Sequence, residues 1–299
     1  MKRLLFVMLG ALVAGGVQAE PLRVCATVPD LGDLVRRVGG DEVSVTVFAK
    51  GTDDPHFLDA KPGFIRDLSR ADLYVSVGLE LEVGWAPVLL QNARNARVLP
   101  GQPGHLDAST AIAPLEVPTG EIDRSMGDVH AAGNPHYLVD PECGRAVAGL
   151  IRDRLIKLRP EAADGFRQRY AAFDQELQKA EETWRAALQK AQGARVVVDH
   201  NMWPYFARRY GLDVVAYLEP RPGLPPTTRH LANVVQIMKE RQVGLVLASP
   251  YFDARHADFV ARATGARIVP LAHQVGARPG VDTYLDLINY NVEQLRAAL

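Results

Sequence analysis

The chain contains a version of itself twice, and an internal repeat of this size limits the fold more than any other feature. Leu34-Val35-Arg36-Arg37-Val38-Gly39-Gly40-Asp41-Glu42-Val43 reads as a helix end, a glycine stop and a strand. Tyr205-Phe206-Ala207-Arg208-Arg209-Tyr210-Gly211-Leu212-Asp213-Val214-Val215 reads the same way, with Gly211 standing for Gly39. The strand-like run at 72–75 has its counterpart at 244–247 with the same spacing, and Ala96-Arg97-Val98-Leu99-Pro100 answers Ala266-Arg267-Ile268-Val269-Pro270. Three matches in order imply two similar lobes. Strand-like runs alternate with amphipathic helical stretches throughout, the pattern of α/β structure with parallel sheets.

Between the repeats lies a helical stretch without strands, 141–191. Phe166, Tyr170, Phe173, Leu177, Trp184 and Leu188 fall at steps of three, four and seven, which is one helical face. A helix over 161–191 would run about 46 Å at 1.5 Å per residue, long enough to pass behind both lobes. Such a connection is stiff, unlike a Gly/Ser tether. The expected plan is therefore an α/β chain of two similar lobes with central parallel sheets, joined by one long rigid helix, with any ligand in the interlobe cleft. The divisions expected are 1–19 as a signal peptide, 20–140 as the N-terminal lobe, 141–193 as the helical segment and 194–299 as the C-terminal lobe.

The signal peptide rests on Lys2 and Arg3, an apolar core from Leu4 to Val13, and Val17-Gln18-Ala19 before a cut ahead of Glu20. The apolar stretch is shorter than the ~20 residues a spanning helix needs. The mature chain is thus expected in the periplasm, free of the membrane and monomeric. With 34 basic against 35 acidic residues and no cationic run, nucleic acid is not an expected partner. Two cysteines, Cys25 and Cys143, cannot build a disulfide scaffold, although an oxidising compartment leaves both a single bond and two buried thiols open.

The chain has eight histidines, none in H-x-H or H-E-x-x-H spacing. Three stand out by setting. His56 follows Asp53-Asp54-Pro55 and His136 follows Gly133-Asn134-Pro135, so each sits behind a proline that stiffens its loop. His200 follows a strand at 195–198, and His56 also lies past the carboxyl end of a strand, at 43–48. Ligands of open α/β sheets bind beyond those ends, so both point to one cleft. His230 and His256 lie within amphipathic helices at 228–241 and 254–264 and read as surface residues. His273 could line the cleft, and His105 sits in a Gly/Pro-rich loop.

These motifs resemble the solute-binding proteins of ABC-type zinc and manganese importers, over essentially the whole mature chain. The resemblance is carried by Gly51-Thr52-Asp53-Asp54-Pro55-His56, Gly127-Asp128-Val129-His130, Gly133-Asn134-Pro135-His136-Tyr137 and Asp140-Pro141. It continues through Asp199-His200-Asn201-Met202-Trp203-Pro204-Tyr205-Phe206, Glu219-Pro220-Arg221-Pro222-Gly223-Leu224-Pro225-Pro226 and Asp282-Thr283-Tyr284-Leu285. It looks closest to the zinc-type branch, which implies His56, His136 and His200 as metal ligands. A carboxylate shortly before the C-terminal helix, common as the fourth ligand in the family, falls on Asp282, with Glu219 as rival. His130 is a further alternative. The resemblance also implies a membrane permease as partner, Zn²⁺ as the transported ligand with Mn²⁺ or Fe²⁺ as the alternative, and no enzymatic activity.

The chemistry agrees with that assignment. Three neutral imidazoles and one carboxylate make an N₃O tetrahedron suited to Zn²⁺, whereas Mn²⁺ prefers more oxygen. Asp54, Asp140 and Asp199 flank the histidines and could each accept a second imidazole N–H. Because imidazoles must be neutral to donate, capture should weaken as pH falls from 7 to 5. A zinc metallohydrolase would need a vacant coordination site and a general base. A receptor for an iron chelate or cobalamin would share the stiff helix but not the paired Pro-His loops.

Overall fold

The computed structural model describes residues 19–120 and 130–299, so the signal-peptide residues 1–18 lie outside the described residues. Runs of valine and leucine build the same four-stranded parallel sheet in each half. The first comprises β1 (Leu22–Ala26), β2 (Val43–Val47), β3 (Leu73–Ser76) and β4 (His105–Asp107), in the order β2-β1-β3-β4. The second comprises β5 (Arg195–Val198), β6 (Asp213–Tyr217), β7 (Leu245–Ala248) and β8 (Arg267–Pro270), in the order β6-β5-β7-β8. The two orders are the same, so the sequence repeat is a topological repeat. Helices cover both faces of the central strands. Val24, Cys25 and Ala26 of β1 and Val196, Val197 and Val198 of β5 are consequently all buried, as parallel sheets require.

Helices α1 (Pro29–Gly39), α2 (Pro62–Arg70) and α3 (Ala86–Ala93) serve the first sheet, and α6 (Pro204–Tyr210), α7 (Thr228–Glu240) and α8 (Ala254–Thr264) the second. One sequence match proves misleading. Residues Ala96–Val98 form a 3₁₀ turn, closed by the Asn95 side chain accepting from the Arg97 amide at 3.2 Å. The strand equivalent to β8 is β4, a few residues later.

Between the sheets lie α4 (Pro141–Leu158) and α5 (Ala163–Ala187), and the chain closes with α9 (Tyr284–Ala298). The long helix is shorter than its apolar period suggests, because 3₁₀ turns at Pro160–Ala162 and Gln189–Ala191 flank it. It buries Phe166, Phe173, Leu177 and Trp184 and packs against α1, α4 and α9, so it braces both lobes. Cys25 and Cys143 are buried in separate clusters and unpaired, with burial pushing each thiol up to about 12.

One apolar cluster runs continuously from Leu31 and Leu34 of the first lobe to Leu287 and Ile288 of the second. The rim of the cleft is pinned as well. The Gln274 side-chain amide Nε2 donates to the carbonyls of Lys50, Gly51 and Asp53 at 2.9, 3.2 and 3.0 Å. Gly51 is glycine because a Cβ there would lie 2.1 Å from the backbone of Gly276. We expect Gly51→Ala to destabilise the fold by ~1–3 kcal/mol through this overpacking, read by denaturant unfolding. An unchanged midpoint would mean that the two loops part freely.

Candidate metal centre

His56 and His136 are presented by the same local device. In Asp54-Pro55-His56, Asp54 Oδ1 accepts the His56 backbone N–H at 3.0 Å and contacts the ring Nδ1 at 2.7 Å. In Asn134-Pro135-His136, Asn134 Oδ1 accepts the His136 backbone N–H at 3.0 Å and contacts that ring's Nδ1 at 3.0 Å. An Asx side chain two residues before the histidine thus folds the turn and orients the ring together. The carbonyl of Pro55 also accepts from Trp85 Nε1 at 3.0 Å, which ties the first loop to its lobe.

His200 comes from the other sheet. It follows β5 through Asp199, and Leu218 and Glu219 continue β6 beside it, donating to the carbonyls of Val198 and Asp199. That ladder brings Glu219 Oε2 to 2.7 Å from His200 Nδ1. All three histidines thereby face an oxygen at Nδ1, which makes Nδ1–H the donor and leaves the Nε2 lone pair for a metal.

The three rings converge. Each offers one nitrogen, and those atoms lie within 4.8 Å of one another. Ring centroids are 5.2 Å apart for His56–His136, 5.7 Å for His56–His200 and 5.3 Å for His136–His200. His56 is 9% and His200 5% exposed, and Nε2 of His56 and of His136 is buried without a protein partner. Burial first, and then the neighbouring His56 and His200, hold His136 well below the ordinary imidazole range. Neutral donors without competing protons are what a metal requires. Phe252 stacks on His200 at 5.4 Å and walls the cluster on that side. A cavity of about 320 Å³ lined by Glu116, His130, Asn134, His136, His200 and Asn201 opens onto it.

Two more imidazoles flank the three. His130 stacks on His56 with centroids 5.4 Å apart, and its Nε2 is buried without a partner among the described residues. Burial, followed by repulsion from His56 and His200, pushes it down to about 4. His273 has an unpartnered Nδ1 and sets its Nε2 3.2 Å from the carbonyl of Asp53. Burial pushes it down to about 4 as well.

Several expected roles change. Asp282 is exposed and stands outside the histidine cluster. The loop before it is closed by the Gly276 N–H donating to the Val281 carbonyl at 2.6 Å, and Thr283 then caps α9. Asp140 caps α4, accepting from the Glu142 amide at 3.0 Å, and pairs with Arg209 at 2.8 Å. It orients no imidazole. Asp199 accepts the backbone amides of His200 and Ser249, so it shapes the loop rather than the ring. Glu219, a rival ligand in the sequence reading, holds His200 from behind, and Asp54 does so for His56. Asn134 carries no charge and so does not stand out in the sequence as a partner of a ligand. The Asx-Pro-His spacing it shares with Asp54 was the available signal.

Comparison with known proteins places the chain in a family. The model of the family described as zinc-uptake complex component A, periplasmic, matches residues 24–298. The manganese-binding lipoprotein MntA of Halalkalibacterium halodurans is 26% identical over 317 residues, covering 100% of this chain and 99% of its own. The high-affinity zinc uptake system protein ZnuA of Paracoccus denitrificans is 26% identical over 311 residues, covering 91% and 90%. A crystal structure of a ZnuA deletion mutant lacking 138–173, with zinc bound, superposes with a TM-score of 0.77 at 25% identity, covering 93% of this chain and 98% of that one. The chain therefore belongs to the zinc-uptake complex component A family, the periplasmic metal-binding components of ABC importers.

Proposed function

We propose that this chain captures Zn²⁺ between its lobes with His56, His136 and His200 and delivers it to a membrane permease. The observation that carries the choice of metal is the donor set. Among the described residues, the group able to hold an ion is three imidazoles with no carboxylate, and the nearest carboxylates, of Asp54 and Glu219, are engaged at Nδ1. Nitrogen donors in a tetrahedral arrangement suit zinc, whereas manganese favours oxygen. The fourth position falls to one of the flanking imidazoles, His130 or His273, or to water.

Relatives named for zinc and for manganese are both similar to this chain, so Mn²⁺ is the alternative cargo. The binding reading is preferred to hydrolysis because Asp54 and Glu219 already hold imidazole protons and so are unsuited to take one from a bound water. The test is metal analysis of tag-free protein, followed by titration with buffered Zn²⁺ and Mn²⁺. One Zn²⁺ per chain that excess Mn²⁺ does not displace is the expected result. Preferential retention of Mn²⁺ would overturn the choice of metal.

A further inference from the structure

We propose that Asn134 is a positioning residue which fixes the tautomer of His136 and ties the histidine loops of the two lobes together, so that it governs metal release. The inference rests on the three-histidine reading above. Asn134 is 7% exposed, and both ends of its amide are used. Oδ1 accepts the backbone N–H of His136 and faces its Nδ1. Nδ2 donates to the Asn201 carbonyl at 2.8 Å and to Glu116 Oε2 at 3.1 Å.

These partners leave the amide one orientation. A backbone N–H can only donate, so the end facing it is oxygen. A backbone carbonyl can only accept, so the opposite end is nitrogen. His136 Nδ1, facing oxygen, must then carry the proton, which leaves Nε2 as the metal donor.

The same side chain crosses the cleft. Asn201 directly follows His200 on the second lobe, and its own Nδ2 donates to Glu116 Oε2 at 2.7 Å. The backbone of Asn134 is pinned from that lobe as well, because Tyr205 of α6 donates its hydroxyl to the Asn134 carbonyl at 2.8 Å. Opening the cleft between His136 and His200 therefore has to break the Asn134–Asn201 bond. An ion held by both histidines and an amide joining their loops reinforce each other. His56 and His200 lack this arrangement, since Asp54 and Glu219 are carboxylates and have no proton to donate across the cleft.

Two substitutions separate the roles. Asn134→Ala removes the acceptor and the donor, whereas Asn134→Asp keeps the shape and the acceptor but loses the donor. Imidazole ¹⁵N shifts of the metal-free protein read the His136 tautomer. Stopped-flow chelator competition reads zinc release. With Asn134→Ala, we expect a mixed His136 tautomer and affinity weakened ~10–100-fold, the usual range for a partner of a ligating histidine. With Asn134→Asp, the tautomer should stay as in the wild type while zinc leaves about tenfold faster, within that same range. A residue that merely packed the loop would lower the melting temperature without moving the tautomer. A single Nδ1–H tautomer in Asn134→Ala, or wild-type release from Asn134→Asp, would overturn the proposal. Should Asn134→Ala fail to fold, the isosteric Asn134→Asp decides alone. Wild-type protein that binds no zinc would instead remove the three-histidine reading, and this inference with it.

Discussion

Replacing His56, His136 or His200 by alanine weakens zinc binding by roughly a hundred- to a thousandfold. Zinc sites built from protein ligands are worth about 10–16 kcal/mol, so one ligand of four carries ~3–4 kcal/mol, and each 1.4 kcal/mol is a factor of ten. The flanking residues separate on the same scale. Asp54→Ala and Glu219→Ala each cost ~10–100-fold, because they free an imidazole that a carboxylate now orients. Asp282→Ala leaves affinity unchanged, since that carboxylate is exposed and away from the cluster. A loss in His130→Ala or His273→Ala that approaches the loss seen for the three identifies that residue as the fourth donor, and near-normal binding by both assigns the position to water. Competition against a chelator of known affinity checks all of these. Near-normal binding by any one of the three principal variants removes that residue from the site.

Much of this arrangement is legible in the sequence because it depends on local rules. Strands at 195–198 and 72–75 announce themselves as short runs of β-branched, aromatic and aliphatic residues bounded by turns. Pro55 and Pro135 mark loops that hold a histidine stiffly. What is not legible depends on neighbours across the sheet. The partner of His200 Nδ1 is Glu219 rather than adjacent Asp199, because β6 lies beside β5 and its register sets which carboxylate arrives. Asp140 precedes Pro141 at a helix start, and the demand for a cap there outweighs its nearness to His136. The placement of Asp282, exposed and outside the histidine group, has a related origin. A turn at 276–281 decides where the chain emerges, and no periodicity in the residues themselves encodes it.

The dependence on pH is where burial most changes the expectation. Three ordinary imidazoles would compete with protons between pH 7 and 5, and affinity could fall by up to ~1,000-fold per pH unit. His136 is held well below that range by burial, and repulsion from His56 and His200 adds to it. We expect zinc affinity to fall by no more than ~100-fold per pH unit from pH 7 to 5, because the depressed His136 leaves two imidazoles of the three to compete with protons. The stability of the metal-free fold should change even less over the same interval. His130 and His273, near 4 when folded against an unfolded ~6.5, give stability that is present above pH 6.5 and is lost as pH falls toward 4. Asp30 and Glu82, pushed up to about 7 by burial, act with the opposite sign. Their contribution is complete below the unfolded carboxyl range near pH 4 and is lost as pH rises through 7. The two pairs oppose each other across the same window. Thermal melts with and without buffered zinc at pH 7, 6 and 5 separate the two effects. The metal-free melting temperature should drift slightly while the increment due to zinc shrinks steadily. A fall steeper than two decades per pH unit at pH 6 would show three independent, solvent-exposed imidazoles, and affinity that stayed flat down to pH 4 would show that histidine is not the donor.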